Sequence, residues 1–332
     1  MKFSDIPAVF KILGDEGLIP VQTIDDKLVV ANAEGIKYLF KEGRGEEEKM
    51  FTQVFPEIRK QGLDFKVLVL PDILKVVGGA TKEGGKEKTD KFLILNFYEG
   101  ESYNKQWNES NPDSLGGRSI DSNLAEKMVD LLGDFAQIDL SGLKIHKLTE
   151  FDLETWMMRH FLLMRDSLIQ KKIFSENHLK RVEQILGDKT LFNGSRKIIT
   201  NGDFYPRNFI GINDGKIVVI DWEGRIDYEE EMKVGEISEK VTGWRNAFVN
   251  YLENHAAFLF VHMWGNYAFG KKLTKQLVER FKIEPRNLQA ALLIKAMEQA
   301  YLWRGNMAHL PVDQAQILVN ALDEQYIKDL IS

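Results

Sequence analysis

The sequence predicts an α+β fold in two lobes, a small strand-rich one followed by a larger helical one. Short β-branched and alternating apolar runs crowd the chain before residue 100. From residue 124 onward, apolar residues recur mainly at helical spacing. One hairpin pattern, 209–220, interrupts that helical part and is flanked by Asp and Asn residues. Strands first and helices after point to α+β architecture. The chain has 332 residues, 44% of them hydrophobic, enough for two lobes with a sizeable core. The expected lobes are 1–99 and 100–332, with the boundary near Glu99-Gly100.

Taken in order, Pro20 to Ile24, the turn Asp25-Asp26, and Lys27 to Val30 read as a hairpin. A third strand follows at Ile36 to Lys41. Met50, Phe51, Val54, Phe55 and Ile58 mark a helix over Glu46–Lys60, which Pro56 is expected to kink or end early. Phe65 to Leu70 and Lys91 to Phe97 read as further strands, joined through a Gly- and Lys-rich loop, Gly78 to Asp90. That makes five strands and one helix. Next, Leu124, Met128, Leu131, Leu132 and Phe135 form one helical stripe, with Asp121-Ser122 as its cap. Leu153, Trp156, Met157, His160, Phe161 and Met164 form another. Further helical patterns fill 229–253, 255–270, 285–303 and 312–330.

Composition narrows the function classes. There is no cysteine, so no disulfide, thiolate metal site or cysteine nucleophile. The start, Met1-Lys2-Phe3-Ser4-Asp5, has no signal-peptide apolar core. The longest apolar run, Ala256 to Trp264, contains His262 and is too short to span a bilayer. A net charge of −6 argues against nucleic acid as the main partner. A cytoplasmic protein acting on a small molecule, with no membrane or nucleic-acid partner, is expected.

The densest chemical signal is Ile199-Thr200-Asn201-Gly202-Asp203-Phe204-Tyr205-Pro206-Arg207-Asn208, followed by Ile220-Asp221-Trp222-Glu223. Between them, Phe209 to Ile212, the turn Asn213-Asp214-Gly215, and Lys216 to Ile220 read as a β-hairpin. Folding about Asp214 sets Asn208 beside Asp221 at its open end, with Asp203 a short loop upstream. An amide oxygen and carboxylates make a hard, oxygen-only site suited to Mg²⁺. Each residue alone reads as an ordinary loop polar. The set, on strands where the chemistry needs it, favours a shared site.

This segment resembles the catalytic and metal loops of the aminoglycoside phosphotransferase and choline kinase-like family, within the protein kinase-like fold. That family shows His-x-Asp-x-x-x-x-Asn followed by Ile-Asp-Trp or Ile-Asp-Phe. By position, the resemblance implies that Asp203 is the catalytic base and that Asn208 and Asp221 are the metal ligands. It implies ATP or GTP and Mg²⁺ as cofactors. Tyr38-Leu39-Phe40-Lys41 resembles the kinase strand that ends in a phosphate-binding Lys, which nominates Lys41, while Lys37 on the same face competes. A carboxylate from the next helix should position that Lys. Glu47 shares a face with Met50, Phe51 and Val54, whereas Glu46 and Glu48 suit a solvated first turn. Phe97 and Tyr98 resemble the hinge whose backbone meets an adenine edge.

Two features depart from the family pattern. Asn201 stands where the family has His, and an altered brace is expected there rather than a dead site. No glycine-rich loop lies between Val21 and Lys41. The resemblance implies an ATP- and Mg-dependent phosphotransferase acting on a hydroxyl of an aminoglycoside, amino alcohol or sugar. A pseudokinase serving as nucleotide-binding or scaffold protein is the alternative, and a protein kinase is disfavoured by the lack of Asp-Phe-Gly and Ala-Pro-Glu elements.

For the acceptor, Glu223, Asp227, Glu229, Glu230, Glu231 and Glu236 read as either a solvated acidic helix start or an attraction for a cationic molecule. The aromatic belt Trp244, Phe248, Tyr251, Phe258, Phe260, Trp264, Tyr267 and Phe269 reads as core before it reads as an amine-binding cage. His255 and His262 are assigned no zinc.

Overall fold

The computed structural model describes residues 7–24, 27–43, 46–83, 86–103, 122–143, 150–170, 174–222, 230–234, 237–241, 248–262, 267–302 and 312–332. The first lobe contains α1 (Pro7–Asp15), β1 (Ile19–Ile24), β2 (Lys27–Ala31), β3 (Lys37–Glu42), α2 (Glu47–Lys49), α3 (Phe55–Lys60), β4 (Leu68–Val69), β5 (Ile73–Glu83) and β6 (Lys86–Asn96). Its five-stranded antiparallel sheet runs β1-β2-β3-β6-β5. Alternation divides the strands' side chains between two faces. Leu28, Val30, Phe40, Val77, Phe92 and Ile94 face Val9, Ile12 and Leu13 of α1, a helix the sequence reading missed. Leu39, Leu93 and Leu95 face the main core instead.

The expected number of strands is present, but one member differs. Residues 65–70 do not join the first sheet: β4 pairs parallel with β10 (Ile217–Val219) in the second. The Asp134 carboxylate accepts the backbone N–H groups of Lys66, Val67 and Leu68 at 2.9, 2.7 and 2.8 Å. The helical lobe thereby captures the donors of that segment. β5 takes its place, and the expected Gly- and Lys-rich loop is strand, paired from Gly78↔Lys91 to Glu83↔Lys86. Gly, Thr, Lys, Glu and Asp dominate its sequence, so the segment carries no apolar alternation to read. Pro56 does not end the helix. A π-helical turn, Met50–Val54, precedes it and joins α2 to α3. The wider turn absorbs the missing proline N–H and the clash of its ring.

In the second lobe, α4 (Ser122–Gln137) buries Leu124, Met128, Leu131, Leu132 and Phe135, the stripe that the spacing predicts. The expected cap residue Asp121 lies outside the described residues. α5 (Leu153–Trp156), a π turn (Met157–Phe161) and α6 (Leu162–Gln170) bury Trp156, His160, Phe161 and Met164. The Asp152 side chain caps α5 by accepting the Thr155 N–H at 2.7 Å. α7 (Glu176–Leu186), capped by Ser175, was not anticipated.

The predicted hairpin forms from β9 (Phe209–Gly211) and β10, with Val219↔Phe209 and Ile217↔Gly211 in register. β7 (Glu101–Ser102) completes the second sheet, ordered β4-β10-β9-β7. β8 (Lys197–Ile199) pairs with β13 (Val249–Tyr251). The helical expectation for 229–253 is corrected: β11 (Glu230–Val234) and β12 (Ile237–Val241) form a hairpin there. Met232 and Val234 sit two apart, a strand period that the surrounding charges obscure. α8 (Leu252–His262), α9 (Tyr267–Phe281), α10 (Pro285–Leu302), α11 (Val312–Ala321) and α12 (Glu324–Ile331) complete the lobe. The pattern at 255–270 spans two helices. That at 312–330 is also two, because Asp323 opens α12 by capping Gln325 N–H at 2.9 Å. Among the described residues no helix is long and apolar enough to cross a membrane.

Candidate active site

The loop after β8 is laced together by amides. Thr200 N–H donates to Phe248 O at 2.8 Å, and Gly202 turns the chain at φ +79°. Asn201 is buried, and its Nδ2 donates to Asp203 O at 3.0 Å and to Ile220 O at 2.9 Å. One side chain therefore ties the Asp203 loop to the Asp221 loop. Asn208 Nδ2 donates to Asp203 O at 2.9 Å and to Asp203 Oδ2 at 3.0 Å, while Asn208 O accepts Ile220 N–H at 2.9 Å. Arg207 Nη2 also reaches Asp203 Oδ2, at 3.0 Å. Beneath, Phe204 is buried against Phe209, His255 and Phe135, with ring centroids 4.8, 5.3 and 6.0 Å away.

Asp221 adopts φ +58°, a left-handed conformation uncommon for a residue with a side chain. Such strain, of order 1 kcal/mol or more, persists where the surroundings fix it. Trp222 is the anchor. It is fully buried, its Nε1 donates to Val219 O at 2.7 Å, and its ring packs edge-on to Phe55 of α3 at 4.8 Å.

From the first lobe, Lys41 enters the same cleft. It is 4% exposed, and its Nζ lies 3.0 Å from Glu47 Oε1 and 3.7 Å from Asp221 Oδ1. Glu47 is 1% exposed, as its shared face with Met50, Phe51 and Val54 requires. The competitors point elsewhere. Lys37 pairs with Glu99 at 2.7 Å and lies 6.0 Å over the Phe97 ring, Glu48 meets Lys91, and Glu46 lies 3.6 Å from Lys49. Phe97 and Tyr98 follow β6 and are half-buried. Tyr98 OH accepts the Asp72 N–H at 3.1 Å, and burial pushes its phenol upward.

The sequence reading missed Lys27 at the start of β2. Its Nζ lies 3.4 Å from the same Asp221 Oδ1 that Lys41 approaches. Only its place beside the first turn could have hinted at this. Burial acts to raise the Asp221 carboxyl, but Lys27 and Lys41 outweigh it and hold it below the usual range. The Arg207 guanidinium, although partly buried, is raised by the fields of Asp203 and Asp221.

Among the described residues no three His, Cys, Asp or Glu side chains form a metal cluster. The available set is two carboxylates and an amide. With its Nδ2 directed at Asp203, Asn208 has its amide oxygen left as the donor atom. Hard carboxylate and amide oxygens are the donor chemistry that fits Mg²⁺.

On the acceptor side, Glu223, Asp227, Glu229, Glu236, Trp244 and Trp264 lie outside the described residues. Glu230 and Glu231 are on β11, not at a helix start. Phe248 and Phe260 are core, with Tyr251 and Phe258 half-buried against it. Tyr267 and Phe269 fall on α9.

No family model and no curated protein matches the sequence. Solved structures do match. A macrolide 2'-phosphotransferase type I is 12% identical, with 99% of this chain and 96% of that chain covered and a TM-score of 0.53. An aminoglycoside phosphotransferase from Alicyclobacillus acidocaldarius is 11% identical, with 95% and 92% covered and a TM-score of 0.52. A macrolide 2'-phosphotransferase from Brachybacterium faecium is 11% identical, with 95% and 98% covered and a TM-score of 0.50. A strand-rich lobe, a helical lobe and these overlaps over nearly the whole length give one conclusion: the chain has the two-lobed protein kinase-like fold of the aminoglycoside and macrolide phosphotransferases.

Proposed function

We propose that this chain is an ATP- and Mg-dependent phosphotransferase of the aminoglycoside phosphotransferase and choline kinase-like family, moving the γ-phosphate to a hydroxyl of a small molecule. One observation carries the reading. A buried Lys41–Glu47 pair from the first lobe comes within 3.7 Å of Asp221, and Asp221 adjoins the loop of Asp203 and Asn208. The overlaps with phosphotransferase structures support the fold within which that reading is made.

Asp203 orients the acceptor hydroxyl and takes its proton. Arg207 and Asn208 engage Asp203 Oδ2, which leaves Oδ1 to face the acceptor. The acceptor oxygen bonds to the γ-phosphorus, the bond to the β-phosphate oxygen breaks, and the nucleoside diphosphate leaves. Lys41, held by Glu47, binds phosphate oxygens. Asp221 and Asn208 would hold Mg²⁺, which would supply neutralisation of phosphate charge. Backbone groups at Phe97 and Tyr98 meet the adenine. Asn201 favours catalysis over a pseudokinase, because its amide supplies the brace expected of the family His. We place the lobe boundary at Glu99-Gly100. With a net charge of −6, we expect a small-molecule acceptor and no nucleic-acid partner.

Mg-dependent consumption of ATP or GTP, measured with a panel of aminoglycosides, amino alcohols and sugars, tests the proposal. Asp203→Ala is expected to lower kcat by roughly 10²- to 10⁴-fold while the protein stays folded. Full activity in that variant sinks the mechanism. Nucleotide binding without turnover on any acceptor favours the pseudokinase.

A further inference from the structure

We propose that Lys27 is a second phosphate ligand for the nucleotide, doing with a side chain what a glycine-rich loop does with backbone N–H groups; this rests on the phosphotransferase reading above. Phosphates are commonly cradled by backbone donors in a loop between two strands. The sequence has no glycine-rich stretch between Val21 and Lys41. The only glycine between Val21 and Lys41 is Gly35, in the next turn, where its N–H donates to Asn32 O at 3.0 Å. Lys27 instead stands at the foot of the first hairpin, opposite Ile24, at the edge where such a loop would lie. Its side chain is only 20% exposed and crosses 194 positions of sequence to meet Asp221.

The charge arrangement gives that placement a purpose. Lys27 and Lys41 approach one carboxylate oxygen from two strands, at 3.4 and 3.7 Å. Lys41 also has Glu47, and Arg207 has Asp203. Among the described residues, Lys27, Lys41 and Arg207 thus lie against Asp221, Glu47 and Asp203. Adding Mg²⁺ at Asp221 weakens the hold of that carboxylate on Lys27, because like charges repel at such range. The oxygens of a polyanionic triphosphate would then compete with Asp221 for the Lys27 ammonium group. Lys27 has the reach and the flexible stem to move onto them. A lysine that served only to clip the lobes together would hold Asp221 equally well with or without nucleotide.

The test is binding, measured by calorimetry with MgATP, MgADP and adenosine as probes, on wild type and on Lys27→Met, Lys27→Gln and Lys27→Arg. Loss of one charge-assisted contact predicts about a ten- to hundredfold weaker Kd for MgATP in Lys27→Met and Lys27→Gln. Adenosine affinity should not change, and Lys27→Arg should recover most of the loss. The two neutral variants differ in polarity, so a folding defect in one leaves the other to report. Unchanged or tighter MgATP binding overturns the inference and makes Lys27 a clip that nucleotide must displace. Equal weakening of MgATP and adenosine also overturns it. Wild-type protein that binds no nucleotide defeats the phosphotransferase reading itself, and this inference with it.

Discussion

His255 lies beneath the Asp203 loop, 5.3 Å from the Phe204 ring, with its Nε2 buried and unpartnered. Burial and the nearby Lys295 ammonium push its imidazole down to about 3. The folded value is thus below the unfolded one, so the unfolded chain takes up the proton first. Stability from this residue is complete above the unfolded value of about 6.5 and is lost as pH falls toward 3, by up to about 1.4 kcal/mol per pH unit. Urea denaturation at pH 7 and pH 5 should show the loss, and His255→Leu should flatten the slope between them. A slope unchanged in that variant would assign the pH dependence to other groups. Asn201 shows the same economy of residues: a shorter side chain than the expected His still reaches two carbonyls, one on each loop.

Among the elements, Gly100 passes close to the end of β9. A Cβ at position 100 would collide with Gly211 O and come within 2.9 Å of Ile210 Cγ2, beside the pairing of β7 with β9. The close contact is with backbone, which cannot swing aside. Gly100→Ala should therefore lose about 1–3 kcal/mol in chemical denaturation. An unchanged midpoint would show that the strand pair yields freely. The π turn before Pro56 belongs to this scale as well, because it keeps Glu47 and Phe55 on one continuous helical path. Glu47 then meets Lys41, and Phe55 meets Trp222.

At the scale of the molecule, contacts at the cleft join the lobes. Lys27 and Lys41 reach Asp221, Trp222 packs on Phe55, and Asp134 holds Lys66 to Leu68. A ligand spanning Lys41 and Asp221 would bind the folded chain alone and stabilise it by about 2.7 kcal/mol at a hundredfold excess over Kd. MgADP should accordingly raise Tm, and EDTA should cancel most of the rise. No shift at millimolar MgADP would count against a nucleotide in this cleft.

The sequence by itself determined the features whose physics is local. A turn at Asp214 with β-branched flanks makes the hairpin, and its register puts Asn208 and Asp221 together at the open end. Helical spacing was enough to bury Leu124 to Phe135 and to turn Glu47 inward. Tertiary structure decided the features that depend on competition between distant partners. Residues 65–70 have the same apolar pattern in either sheet, and three hydrogen bonds to Asp134 settled which one. Residues 78–83 and 86–90 pair because the adjoining strands continue, not because of their own polarity. Lys27 reads as a hairpin surface lysine until the fold brings Asp221 beside it, since no periodicity encodes a contact between residues so far apart.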